Sequence, residues 1–290
     1  MKIRETVSGK TNVFGIIGNP VDHSFSPIMQ TTLAKEHGLD AVYVPFKVEN
    51  ADVATAIKGA YALGIKGLNI TVPHKKTVIE SLVSIDDDAK KIGAVNTIRL
   101  TKGGYKGFNT DILGLEKSFF INNIEIKDKT VAILGAGGAA NSAAMLFAKE
   151  GAKKLFIVNR TKEKAIALKE QIEKNYDIDI VVTDYSDLEG IKPLDIVFQS
   201  TSVGMGSDES PIKDKSFFNG VGCAFDAVYV PAETKFLKDA REYGCITING
   251  FDMLVYQGIA SFEIWNEMKV SDNDAIAFRD LFLEKYYHSR

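Results

Sequence analysis

The chain has 290 residues and a mass of 31.8 kDa, 45% hydrophobic and 25% charged, which excludes a disordered, collagenous or low-complexity polypeptide and suggests two domains of roughly 150 residues each. Lys and Arg number 35 against 38 Asp and Glu, a net charge of -3, and no basic run tracks a phosphate backbone, so nucleic acid is not an expected partner. Apolar runs such as VAILG and FIV fall far short of the roughly 20 residues that span a bilayer, so no membrane partner is expected either.

In chain order, the opening MKIRETVSGKTN lacks an apolar signal core, and a cytoplasmic protein is expected. VFGIIG reads as a strand, followed by the polar loop GNPVDHSFSP. Ser26 and Pro27 then predict an N-cap and a first helical residue, with Gly38 as the left-handed stop. AVYVPF is the next strand, and ATAIKGAYAL a helix stopped at Gly64. In GLNITV, Asn69 and Thr71 alternate with Ile70 and Val72 and so share one face of a strand end. IRLTKGGYKGF carries Gly103 and Gly104 between two extended runs and predicts a hairpin. DILGLEKSFF reads as a helix, and a domain boundary is expected near residues 112 to 125. Beyond it the strands TVAILG, KLFIVN, DIDIVV, DIVFQS and CAFDAV recur, with helical patterns between many of them, and Gly244 stops the helix KFLKDAREY. The whole pattern is α/β with mainly parallel sheets.

The run TVAILGAGGAANSAAMLFA sets Gly135, Gly137 and Ala140 directly after a strand and ahead of a small-residue helix. In a dinucleotide turn the first Gly makes the tight bend, the second admits the pyrophosphate, and the third small residue lets helix and strand pack closely. A purely structural Gly-rich turn has the same appearance. The strand KLFIVN ends at Asn159, about 24 residues after Gly135, where an acid would usually hold an unphosphorylated ribose. Here Asn159, Arg160 and Thr161 are followed by Lys162 and Lys164. A guanidinium can clamp a 2′-phosphate that a carboxylate would repel, so NADP is favoured over NAD. The alternative is a solvated basic helix start.

Four N-terminal loops, GNPVDHSFSP, NITVPHK, GAVNT and NTD, place Ser24, Ser26, Asn69, Thr71, Lys75, Asn96 and Asp111 where strands end, and open α/β sheets bind ligands there. Together they can hold a polyhydroxylated anion and move a proton. Singly, each has a structural reading: Ser26 or Asp111 as helix caps, the two Asn on loop backbone, Lys75 as a solvated lysine. His23, His37, His74 and His288 have no ligand-like spacing, and Cys223 and Cys245 are too few for a disulfide framework or a zinc site. No metal is expected.

With these strings in order, and with GAGGAA, NRT, DAVYVPAET and NGFDMLVYQG, the chain resembles the shikimate dehydrogenase family over nearly its whole length. The resemblance implies NADP-dependent interconversion of 3-dehydroshikimate and shikimate in aromatic amino-acid biosynthesis. It also implies a substrate domain of residues 1–115 completed by 251–290, and a Rossmann-type NADP-binding domain of residues 116–250. By resemblance, Ser24 and Ser26, with Tyr229, hold the substrate carboxylate, and Asn69, Thr71, Asn96 and Gln257 surround the ring hydroxyls. Lys75 and Asp111 form the catalytic pair. Gly135, Ala136, Gly137, Gly138, Ala139 and Ala140 form the turn at the diphosphate, Asn159, Arg160, Thr161 and Lys164 meet the 2′-phosphate, Gly250 lines the nicotinamide pocket, and Thr201 also binds the cofactor. Departures stand at Gln30 (often His), Lys164 (often Arg), Gln199 (usually Asn) and Asp252 (commonly Gly). Rivals are a quinate/shikimate dehydrogenase that also uses NAD, a folate-type dehydrogenase, and a non-catalytic regulator that senses pathway metabolites. The state is expected to be a monomer or a homodimer.

Overall fold

The computed structural model describes residues 7–287, without the side chains of Tyr286 and Tyr287; the first six residues of the N-terminal segment and His288 lie outside them. The chain divides into two compact units, Met1–Thr110 with Val255–Arg290, and Asp111–Leu254. The sequence reading sets these boundaries at 115/116 and 250/251. Both differences fall inside helices, where the hydrophobic pattern does not report which neighbour a turn packs against.

The first unit runs β1 (Asn12–Gly18), α1 (Ser26–Glu36), β2 (Ala41–Lys47), α2 (Val53–Ala62), β3 (Gly67–Ile70), β4 (Ser84–Ile85), α3 (Asp87–Ile92), β5 (Thr97–Thr101) and β6 (Gly104–Phe108). Its six strands lie in the order β2-β1-β3-β5-β6-β4. β1 is parallel to β2 and β3, while β5 is antiparallel to β3 and β6. One face buries Ile17, Leu68, Ile98 and Tyr105 against Val53, Ile57 and Ala60 of α2. The hairpin turns at Gly103 and Gly104, whose φ of 95° and 156° are left-handed values that favour glycine.

Two local expectations need correction. Ser26 is the first residue of α1, not its cap; Phe25 holds the cap position without a side-chain bond. The Ser26 N–H is instead satisfied by the Ser24 hydroxyl, 3.2 Å away, an ST-type turn that starts the helix one residue earlier. β3 ends at Ile70, and Thr71 lies just beyond it, its N–H on the Ile17 carbonyl at 2.9 Å.

The second unit runs α4 (Asp111–Ile121), β7 (Thr130–Leu134), α5 (Gly138–Lys149), β8 (Lys154–Val158), α6 (Lys162–Glu173), β9 (Asp179–Thr183), β10 (Ile196–Gln199), β11 (Cys223–Asp226), α7 (Lys235–Glu242) and β12 (Ile246–Asn249). All six strands are parallel, in the order β12-β11-β10-β7-β8-β9, the doubly wound arrangement with its switch point beside β7. Between β9 and β10, and between β10 and β11, only short 3-10 turns intervene. There Leu188, Ile191, Leu194, Ile212, Phe217 and Phe218 fill the face that a crossover helix would cover. Elsewhere Phe119, Phe147, Phe198 and Phe225 form an aromatic ladder.

The chain returns to the first unit through α8 (Phe251–Asn266) and α9 (Asp272–Phe282). Trp265 explains where α8 settles. Its indole stacks on Phe14 at 5.2 Å, donates to the Ile98 carbonyl at 2.9 Å, and occupies the space beside Gly67, where an added Cβ would come within 2.2 Å. A second close approach sets Gly258 against Met29, and there Gln30 donates to the Gly258 carbonyl at 2.8 Å. The family departure at Gln30 thus ties α1 to α8.

Candidate active site

In the first unit the polar residues at the strand ends are joined into a buried lattice. Asn69 sits on β3, Thr97 begins β5, and Thr110 and Asn96 flank the β5–β6 hairpin. Ser261 reaches them from α8. The hydroxyls of Thr97, Thr110 and Ser261 lie within 2.8, 3.1 and 3.3 Å of one another. The Asn69 amide donates to the Thr97 and Ser261 hydroxyls and the Asn96 carbonyl, and its oxygen accepts from Tyr43 at 2.8 Å. The Asn96 oxygen accepts from Thr97 and from both donors of Thr110, while its amide donates to Thr110 and approaches the Gln257 oxygen at 3.5 Å. Such a network holds its members in single rotamers, because each lost partner would leave a buried polar atom unsatisfied.

Tyr43 extends the lattice to the serines. Its hydroxyl donates to the Asn69 oxygen at 2.8 Å, and Ser26 lies close enough to it to draw the phenol down. Burial pushes the phenol well above its ordinary range, against the smaller opposing effect of Ser26. Asn69, Asn96 and Gln257 are therefore brought together through Thr97, Thr110 and Ser261, with Ser26, whose N–H meets the Ser24 hydroxyl, beside Tyr43; the sequence reading singles out none of Tyr43, Thr97, Thr110 and Ser261. Thr97 and Thr110 lie inside the quoted strings GAVNT and NTD, and Tyr43 inside AVYVPF. Ser261 has only its spacing as a signal, one helical turn after Gln257.

Lys75 is placed by its backbone. The segment after β3 turns where the His74 N–H reaches the Thr71 carbonyl at 2.9 Å, and the Lys75 carbonyl accepts from Val95 at 2.8 Å. His74, with no exposed surface, is clamped between Asn50 and the Val48 carbonyl at 3.1 and 2.8 Å. A histidine that shows no ligand-like spacing in the sequence thus anchors the lysine beside it. Asp111 is the buried first residue of α4 and opens the second unit.

In the second unit the glycine-rich turn follows β7. Gly135 has φ 111° and no room for a side chain, since a Cβ would lie 2.6 Å from Ser200 and 3.1 Å from Thr201. Gly137 and Gly138 face open space, and the first turn of α5 has no side-chain cap. Bare helix N–H groups behind two unshielded glycines fit a diphosphate. Ala140 is fully buried and permits the close packing of α5, while Ala136 and Ala139 are partly exposed along the turn. The departure at Gln199 also acquires a role: its amide donates to the carbonyls of Thr201 and Val203 at 3.2 and 3.0 Å and its oxygen accepts from Thr201 N–H, shaping the loop that carries Thr201.

At the end of β8, Asn159 donates to the Thr161 carbonyl at 2.7 Å, so its amide shapes the loop. Arg160, Thr161, Lys162 and Lys164 are exposed around the uncapped start of α6. Arg160 lies close enough to Tyr185 to draw its phenol down, although burial dominates and raises it. Tyr229 is half-buried on the loop after β11. Gly250 follows β12, where a Cβ would lie 2.2 Å from the Ala227 carbonyl. Asp252 is buried in the first turn of α8, where a carboxylate suits the helix dipole. Cys223 and Cys245 are buried free thiols, and burial pushes Cys223 up to about 12. Among the described residues no helix is long and apolar enough to cross a membrane, and no three His, Cys, Asp or Glu gather as a metal site.

Comparison with known proteins matches three family models along the chain: the shikimate dehydrogenase substrate binding domain over residues 16–98, shikimate / quinate 5-dehydrogenase over 118–211, and the shikimate 5′-dehydrogenase C-terminal domain over 250–272. The shikimate dehydrogenase (NADP(+)) of Methanococcus maripaludis is 41% identical over 263 residues, 90% of this chain and 93% of its own. The shikimate 5-dehydrogenase of Listeria monocytogenes, solved with shikimate and NAD, superposes with a TM-score of 0.90 at 30% identity, covering 97% of this chain and 99% of that one. A shikimate dehydrogenase solved with NADP+ gives 0.87 at 38% identity, covering 96% and 97%.

Proposed function

The chain belongs to the shikimate dehydrogenase family, and we propose that it catalyses the NADP-dependent, reversible reduction of 3-dehydroshikimate to shikimate in aromatic amino-acid biosynthesis. The observation that carries this reading is the buried lattice that brings Asn69, Asn96 and Gln257 together, with Ser26 beside its Tyr43, in the unit that also holds Lys75. In this reading Ser24, Ser26 and Tyr229 take the substrate carboxylate, and Asn69, Thr71, Asn96 and Gln257 the ring hydroxyls. The Asn69 oxygen accepts one bond from Tyr43 and keeps a second lone pair for a hydroxyl.

NADP, when bound, supplies or takes up the hydride. The residues suited to hold it are the open Gly137 and Gly138 with the bare start of α5 for the diphosphate, and Arg160, Thr161 and Lys164 for the 2′-phosphate. Lys75 handles the proton. As negative charge builds on the ketone oxygen during reduction, its ammonium stabilises that oxygen and protonates it; in the oxidation the amine takes the proton back. Asp111 orients the ammonium and a neighbouring substrate hydroxyl. In this reading the enzyme works in the cytoplasm, as a monomer or homodimer.

Initial rates with shikimate and quinate, each with NADP and NAD, test the assignment. Shikimate with NADP is expected to give the highest kcat/KM. Because the Listeria monocytogenes relative was solved with NAD, the second reading is a dehydrogenase with NAD use, and a higher kcat/KM with NAD would establish it. No turnover with any pair would leave a metabolite-binding regulator.

A further inference from the structure

The loop between β11 and α7 carries Tyr229, and a single buried carboxylate grips both of its ends. Asp226, the last residue of β11, has no exposed surface. One of its oxygens accepts from the Val228 N–H at 2.9 Å and the other from the Thr234 hydroxyl at 2.6 Å. Thr234 is itself buried and caps α7, its oxygen accepting from Leu237 N–H. Tyr229 thus lies on a seven-residue span, Ala227 to Glu233, closed through one side chain into a ring.

An ionisable group is a costly clasp at such a site. The residues beside Asp226 in register, Gln199 on β10 and Asn249 on β12, are neutral, and Lys235, which opens α7, is paired with Asp239 at 2.8 Å. Without a cation, burial pushes the Asp226 carboxyl up to about 6, against the two hydrogen bonds that favour its ionised form. What it offers in return is specific: the loop directs two donors inward, an N–H and an O–H, and a carboxylate accepts both without bringing a donor of its own.

We propose that Asp226 is a positioning residue, which sets the place of the Tyr229 hydroxyl and through it the grip on the substrate carboxylate. The assignment rests on the proposed role of Tyr229.

Kinetics of four variants test it. Asp226→Asn keeps the shape but exchanges one acceptor for a donor, and Thr234→Val removes the hydroxyl. Each is expected to raise the shikimate KM about tenfold, the loss of roughly one hydrogen bond to a charged group, with kcat and the NADP KM unchanged. Thr234→Ser should restore the wild-type value. In a Tyr229→Phe background Asp226→Asn should add nothing, because the group it positions is gone. An equal KM rise in both backgrounds, or a wild-type KM in both Asp226→Asn and Thr234→Val, overturns the assignment. A wild-type KM in Tyr229→Phe alone overturns the role of Tyr229 beneath it. If Tyr229→Phe raises the KM and Asp226→Asn does not, Asp226 falls and Tyr229 stands.

Discussion

Asn69 and Asn96 in the first unit are closed into a lattice of buried hydroxyls, whereas the turn at Gly137 and Gly138 in the second presents backbone to open space beside an uncapped helix. The proposed substrate side is thus made of side chains that satisfy one another, and the proposed cofactor side of main chain and exposed charge. Substitutions in the lattice should cost stability as well as binding, because each leaves buried partners unpaired. Substitutions at Gly137, Gly138 or Arg160 should cost cofactor affinity alone.

Lys75 should separate from both groups and give the largest effect. Lys75→Ala is expected to lower kcat by about a hundredfold or more with little change in shikimate KM, the range of a lost general acid and base. Its thermal midpoint should match the wild type, since the anchors of this segment are the backbone and His74. Near-normal kcat would remove Lys75 from the reaction.

Asn69→Ala is the test of the lattice. It strips partners from Tyr43, Thr97 and Ser261 and should destabilise the fold by about 2 to 4 kcal/mol in urea titration, the sum of a few buried unsatisfied groups. An unchanged midpoint would mean that the hydroxyls re-pair without the amide. At the other side, Arg160→Ala should raise the NADP KM roughly tenfold to a hundredfold, from a charge-assisted contact of about 1.5 to 3 kcal/mol. The NAD KM and the thermal midpoint should not move. Equal losses with both cofactors would assign Arg160 to loop structure.

Asp226, like Gln199, is a fully buried polar side chain of the second unit, and its pH dependence is the smallest expected effect. Its folded pKa, about 6, lies above the ordinary carboxyl value, so protonation favours the fold. The stabilisation is full below the unfolded value near ~4 and is lost as the pH rises through about 6. From this group alone, stability should fall on the order of 1 to 3 kcal/mol between those limits, and the Asp226→Asn variant should lack that component. Parallel pH profiles for the two proteins would show that Asp226 titrates normally.

Much of this organisation is legible in the sequence. The α/β class with mainly parallel strands follows from the alternating apolar runs, and the hairpin from Gly103 and Gly104. The glycine turn can be read because its first glycine does what only glycine can: Gly135 takes a left-handed φ and meets Ser200. The lattice is harder to see, since Tyr43, Thr97 and Ser261 are ordinary residues whose meeting depends on where α8 lands, and that is decided by Trp265 packing against Gly67. The cap at Ser26 is misread because a serine before a proline suits two turn geometries, and the choice lies with Ser24. His74 is missed for a related reason: its partners, Val48 and Asn50, come from a distant loop.

The most direct measurement mixes the protein with 3-dehydroshikimate and NADPH and follows both NADPH loss and the product by mass spectrometry. The expected result is one shikimate formed per NADPH consumed, with turnover falling at least about a hundredfold in Lys75→Ala while NADPH binding, read by its fluorescence, persists in that variant. NADPH binding without shikimate formation in the wild type, or equal turnover in the two proteins, would contradict the account.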